Sequence, residues 1–211
     1  PLLQRTIDAS LEASKKYGCK LFYALKANNE SRIINQIREN GIGVDCVSAG
    51  EIEYALAAGW NASEIVFAGS GKTIREIQYA LNQNIKIIHC ESLAEYEIIC
   101  EFLEKLETTT KVALRINPDV KVDTHEKIST GEKHHKFGMS FNEALGIIQN
   151  NNNIIGLHVH VGSQILEMGY FEDLSLTIRS LIEQLPADFN LQYLNLGGGL
   201  GIDYTNPLRN T

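Results

Sequence analysis

No stretch of this chain gathers lysine and arginine into a basic block, and its formal net charge is -7. Nucleic acid and anionic membrane surfaces are both met by clustered positive charge, so neither is an expected partner. No apolar run reaches the ~18–20 residues that a membrane-crossing helix requires. The start, Pro1-Leu2-Leu3, runs straight into a charged amphipathic pattern and lacks the form of a signal peptide, so a cytoplasmic protein is expected. An initiator Met is also lacking, which gives the expectation of a chain cut from something longer. The four cysteines, Cys19, Cys46, Cys90 and Cys100, form no C-x-x-C pair, and three of them lie in or beside apolar runs. Reduced, partly buried thiols are the reading of that pattern. What is present is 211 residues, 44% hydrophobic and 21% charged, enough to bury one substantial core.

The main organisational signal is a short apolar strand followed by an amphipathic helix, repeated. Strand-like runs fall at Leu21 to Leu25, Val44 to Ser48, Ile65 to Gly69, Lys86 to Cys90, Val112 to Ile116, Ile154 to Val161 and Tyr193 to Leu196. The first four recur about every 21 to 23 residues, the length of a compact strand-helix unit. Ser48 with Glu51, Thr73 with Glu76, Ser92 with Glu95 and Ser140 with Glu143 fit the S/T-x-x-E capping box that opens a helix. Gly41 and Gly59 supply helix stops. Such alternation makes an α/β fold with a parallel sheet, and seven evenly spaced strands predict a (β/α)8 TIM-type barrel that is incomplete by its eighth strand. A doubly wound sheet stays open, because periodicity does not report closure. The expected organisation is one barrel domain over residues 1–211, truncated before the eighth strand. The longest stretch without a pattern, Asn117 to Lys136, follows the fifth strand on the face where barrel active sites are built.

Several residues in this frame could carry chemistry. Lys26 ends the first strand, in Phe22-Tyr23-Ala24-Leu25-Lys26. An amine buried there loses its proton more readily and can form a Schiff base with an aldehyde; a rim lysine paired to a carboxylate is the alternative. His158 and His160 share a face of the sixth strand. They suit a metal pair, with His89, His125, His134 and His135 as further ligands, or packing, or stacking on an aromatic cofactor with Gly162 and Ser163 near a phosphate. Gly197, Gly198 and Gly199 follow the seventh strand, where the backbone can approach a phosphate without a Cβ in the way. Asp45 and Arg115 are charges inside apolar runs and form either a structural ion pair or groups that orient a cofactor.

Taken as an ordered set, these motifs resemble the alanine-racemase-like, pyridoxal-phosphate-dependent barrel decarboxylases. Tyr23 to Asn28 looks like the Schiff-base lysine segment, Val44 to Glu51 like the second-strand motif, and His160 to Ser163 with Gly197 to Gly201 like the ring-stacking and phosphate elements. The resemblance implies pyridoxal 5'-phosphate on Lys26, His160 stacked on its ring, and Ser163, Gly197, Gly198 and Gly199 on its phosphate. It also implies Arg115 near the cofactor and Asp45 positioning the groups around Lys26 and His160, with no metal. Thr124-His125, Ile128 to Gly131 and Lys136 to Gly138 look most like the diaminopimelate-decarboxylating branch, although His134-His135 departs from its usual loop. Ornithine, arginine and carboxynorspermidine decarboxylases are the related alternatives. A metal-dependent barrel hydrolase and a non-catalytic homologue are those of a different class. The resemblance further implies an amino-acid substrate, a homodimer, and a later C-terminal β domain missing from this chain. An eighth-strand Glu and Arg and a domain Cys would complete the site, so these 211 residues alone are expected to be inactive.

Overall fold

The computed structural model describes residues 2–118, 137–150 and 153–205. The chain packs as two compact units. The first runs to Cys90 and includes Ala94–Val112; the second takes Glu91–Leu93 and the chain from Ala113 onward.

In the first unit, α1 (Leu2–Tyr17) leads into β1 (Phe22–Ala24), α2 (Ser31–Glu39), β2 (Gly43–Cys46), α3 (Ala49–Ala57), β3 (Ile65–Phe67), α4 (Ile74–Asn82), β4 (Ile87–Cys90) and most of α5 (Leu93–Leu103). β1, β2, β3 and β4 pair in chain order, all parallel, with Ala24 opposite Asp45 and Asp45 opposite Val66. A doubly wound sheet reverses its strand order at a switch point. No such reversal occurs here, and steady progression is the barrel pattern.

Every residue of β3 is fully buried, whereas β1 is half-buried throughout. On β2 the alternation resolves into two faces: Val44 and Cys46 are fully buried, and Asp45 is half-buried on the opposite side. Ile52, Ala55, Ile77, Ala80 and Leu81 bring the inner faces of α3 and α4 into the same core, each fully buried. Trp60 joins it while its indole N–H donates to the Ile42 carbonyl at 2.9 Å, so its polar atom is satisfied.

The helix starts follow the capping expectation in part. Thr73 and Glu76 form a complete box, and so do Ser140 and Glu143. Ser48 accepts from the Glu51 N–H, but the Glu51 carboxylate takes the Val47 N–H instead of returning to Ser48. Glu95 also reaches Lys72, in the turn after β3, with one carboxylate oxygen. Asn61 and Glu64 form a further box. Gly41 (φ 75°) and Gly59 (φ 96°) end α2 and α3 in the left-handed region, as expected.

In the second unit, the last residues of β5 (Lys111–Arg115) precede α6 (Phe141–Asn150), β6 (Ile154–His158), α7 (Met168–Ile182) and β7 (Tyr193–Asn195). β6 and β7 pair in parallel, and the Ile116 N–H, just past β5, donates to the His158 carbonyl at 2.9 Å. Gly156 lies opposite Tyr193, whose backbone occupies the space where a Cβ would stand. All seven expected strands are therefore formed. The expected loop from Asn117 to Lys136 falls, after its first two residues, outside the described residues, as do His125, His134 and His135.

Candidate cofactor site

Lys26 does not end β1. The strand stops at Ala24, and Leu25–Ala27 form a single 3₁₀ turn in which Leu25 is buried and Lys26 is exposed. The expectation of a lysine buried at the strand end is thus corrected: the turn rotates Leu25 into the core and Lys26 out of it. The chain that follows is tightly held. The Tyr23 hydroxyl donates to the Asn28 carbonyl and the Tyr54 hydroxyl, from α3, to the Asn29 carbonyl, both at 2.9 Å. Burial pushes the Tyr23 hydroxyl above its ordinary pKa, with the bond to Asn28 opposing that rise. Asn28 Oδ1 takes the Glu30 N–H, and the Glu30 carboxylate caps α2 through the N–H groups of Arg32 and Ile33. The amine therefore sits on a fixed turn while remaining reachable.

Beside it in the sheet, Asp45 lies level with Ala24 on β2. Cys46 points the other way, and burial pushes its thiol strongly up, which keeps it a protonated core residue.

The second unit holds the remaining expected residues. Arg115, at the end of β5, is buried and places Nη1 2.6 and 2.9 Å from the two carboxylate oxygens of Glu91. Its guanidinium also lies over the Phe137 ring, 5.4 Å from the centroid. The ion-pair reading of Arg115 thus holds, but with Glu91 as its carboxylate. Glu91 was legible only as an acid directly after an apolar strand, the same oddity that marks Arg115.

His160 and the glycine turn come together. The Gly198 N–H donates to His160 Nδ1 at 3.3 Å, which requires an unprotonated Nδ1. Gly197 (φ 68°) takes the close approach: a Cβ there would stand 2.6 Å from the Val159 carbonyl and 2.7 Å from His160 Nδ1. At Gly199 (φ 114°) a Cβ would meet the Gly162 carbonyl at 2.7 Å. Asn195 Oδ1 accepts the Gly197 N–H at 2.7 Å, and Ile165 exchanges backbone bonds with Gly199 and Gly201. The run 160–165 and the turn 197–201 are thereby stitched side by side, with Ser163 exposed. Neither Asn195 nor the Gln164 amide that accepts the Ile202 N–H was singled out from the sequence. His158 is buried, in contrast to half-buried His160. Among the described residues no three His, Cys, Asp or Glu side chains group as metal ligands, and no helix is long and apolar enough to cross a membrane.

The donors suit the group the motifs imply. Glycine backbone, a serine hydroxyl and an imidazole on two adjoining segments match a phosphate ester. A reachable amine on a rigid turn matches an aldehyde. A phosphate-compatible glycine turn in the second unit and a reachable lysine in the first are features that a barrel-type domain for a phosphate-bearing cofactor requires.

Comparison with known proteins makes that class specific. The family model for the pyridoxal-binding domain of pyridoxal-dependent decarboxylases matches residues 3–211, and the chain belongs to that family. Its cofactor is pyridoxal 5'-phosphate. The chain is 42% identical to the diaminopimelate decarboxylase of Bacteroides thetaiotaomicron, over 99% of its own length and 56% of the relative's. The crystal structure of the Helicobacter pylori diaminopimelate decarboxylase, complexed with L-lysine, superposes with a TM-score of 0.76 at 34% identity, covering 95% of this chain and 53% of that one. The corresponding enzyme of M. jannaschii gives 0.79 at 33%, covering 96% and 50%. The chain thus spans about half the length of these relatives, and its strand-helix succession is that of their barrel.

Proposed function

We propose that the whole protein decarboxylates meso-2,6-diaminopimelate to L-lysine and carbon dioxide, the last step of lysine biosynthesis. One C–C bond breaks, carbon dioxide leaves, and a proton takes the place of the lost carboxylate. The observation that carries the reading is the identity to a diaminopimelate decarboxylase over nearly the whole chain, with Lys26 and the glycine turn intact. L-Lysine bound to the Helicobacter relative supports it, since lysine would be the product here.

In this reading the Lys26 amine, exposed on its 3₁₀ turn, holds the aldehyde of the cofactor. The glycine turn 197–199, where no side chain obstructs the approach, and the Ser163 hydroxyl would hold its phosphate, and His160, oriented through Nδ1 by Gly198, would face its ring. Asp45 orders the groups around Lys26 and His160. Arg115, held by Glu91, presents a fixed positive charge near the cofactor. When bound, pyridoxal phosphate takes up the electrons left by the departing carboxylate. The chain's share would be to hold the substrate in one fixed orientation at the cofactor. Residues 1–211 act in this proposal as one barrel domain short of its eighth strand, within a cytoplasmic homodimer, and are inactive by themselves.

The test uses the full-length protein with pyridoxal phosphate, reduced with borohydride and mapped by peptide mass, then given candidate amino acids. A reduced adduct on Lys26, with carbon dioxide and L-lysine released from meso-diaminopimelate, is expected. An unlabelled Lys26, or carbon dioxide from ornithine or arginine but none from diaminopimelate, overturns the proposal.

A further inference from the structure

A second lysine follows a strand in the first unit, and its surroundings are the reverse of those of Lys26. Lys72 lies in the turn after β3, and its side chain is 1% exposed. Nζ donates to the Gly69 carbonyl at 2.7 Å, the His89 carbonyl at 2.6 Å and Glu95 Oε1 at 2.8 Å. An ammonium has three N–H donors, so all three are used and no lone pair remains. The same ammonium lies 5.4 Å from the centroid of the Phe67 ring. Buried charge is kept in a fold only when it is fully compensated, and this one is compensated three times over.

The partners of Lys72 come from two neighbouring strands and a helix. His89 is on β4, Glu95 on α5, and Gly69 (φ 99°) in the turn after β3. Gly69 in turn packs on Val47: a Cβ at Gly69 would lie 3.4 Å from Val47 Cβ and 3.6 Å from its carbonyl. Val47 is two residues past Asp45, and its N–H is held by Glu51 at 2.8 Å. Glu76, which caps the helix just after Lys72, reaches over to accept the Ala49 N–H at 3.2 Å. The turns after β2 and β3 and the end of β4 are thus linked to a single ammonium.

We infer that Lys72 is a positioning residue for the cofactor site: by tying Gly69, His89 and Glu95 together it sets the segment Val47–Ala49 and, through it, Asp45. The inference rests on the proposed role of Asp45 beside Lys26. Lys72 itself takes no aldehyde, because its side chain is enclosed and its nitrogen is bonded to three acceptors.

The full-length protein tests this with Lys72→Met and Glu95→Gln. Amide hydrogen exchange is followed in the cofactor-free form, and pyridoxal phosphate affinity by titration with borohydride trapping. For Lys72→Met, exchange at Val47 and Ala49 rises and cofactor affinity falls, each by about tenfold, the scale of one lost charge-assisted bond. The adduct stays on Lys26. Glu95→Gln keeps both carbonyl bonds and shifts the same two quantities by about threefold, so it carries the test if the methionine variant does not fold. Normal cofactor affinity in a folded variant with raised exchange reduces Lys72 to a structural role and overturns the inference. So does a trapped adduct on Lys72 in the unaltered protein. Absence of any adduct on Lys26 in the unaltered protein overturns the cofactor role instead, and the exchange data still decide whether Lys72 braces the segment.

Discussion

Lys26 and Lys72 stand at equivalent places in the repeat, each a lysine in the turn after a short parallel strand, and they could hardly be held more differently. Lys26 projects from a single 3₁₀ turn into solvent, while the turn beneath it is pinned by two tyrosine hydroxyls. Lys72 is enclosed, with every donor spent on the protein. The second unit repeats the contrast. Arg115 is locked by Glu91 at 2.6 Å, whereas Ser163 and Gly198 lie exposed on the turns that flank His160. Charges that hold strand ends together are enclosed and paired; groups offered to a ligand are left reachable on a backbone that is itself fixed. A positive charge after a strand is therefore not a functional signature until its partners are known.

Substitutions can test how far that contrast extends. The largest effect belongs to Lys26→Ala: complete loss of the borohydride-trapped adduct, with thermal stability changed by less than about 0.5 kcal/mol, as for an exposed side chain. A large fall in melting temperature would show that Lys26 is structural after all. Glu91→Ala does the opposite. It strands a buried guanidinium and is expected to lower stability by about 3–5 kcal/mol in denaturant titration; a loss below ~1 kcal/mol would mean that water reaches Arg115.

Within the glycine turn, Gly197→Ala and Gly198→Ala form a matched pair. Gly197 has φ 68° and no room for a Cβ, so alanine is expected to cost about 1–3 kcal/mol. Gly198 has nothing within 4 Å of a Cβ, and its alanine variant keeps normal stability. Equal melting temperatures for the two would contradict the close approach of His160 to the turn.

The smallest effect is at the cap beside Lys72. Thr73→Ala removes a complete capping box and is expected to cost about 1 kcal/mol. The Thr73 N–H holds the Glu76 carboxyl below the usual glutamate range, helped by the Thr73 hydroxyl, the Ala49 N–H and the nearby Lys72 ammonium. A depressed folded pKa contributes stability that is fully present above the unfolded value and is lost as pH falls through the folded one. Stability of the unaltered protein should therefore decline below about pH 4.3, the ordinary glutamate value, and the Thr73→Ala variant should show a shallower decline over the same window. Parallel curves would remove Glu76 from that account.

All seven strands could be placed from apolar runs alone, most plainly β3 and β4, because a strand buried on both faces has no alternative use for so many branched side chains. Ile65–Phe67 and Ile87–Cys90 fall inside the expected runs. Gly41 and Gly59 announce helix ends because few other residues tolerate their φ. Lys26, His160, Ser163 and Gly197 to Gly199 were likewise legible as candidates, since their residue types and order along the chain are local properties.

What the sequence by itself determined is this repeat, its breaks and its list of chemical groups, all written at separations of a few residues. Only the tertiary structure decided which groups are locked and which are open. The partner of Arg115 is 24 residues away, that of Lys72 is 23, and that of His160 is 38. No local pattern encodes such distances; they are set when neighbouring parallel strands align and bring their turns side by side. The same alignment brings Glu95 onto Lys72, a buried ammonium that would be costly to keep without a carboxylate.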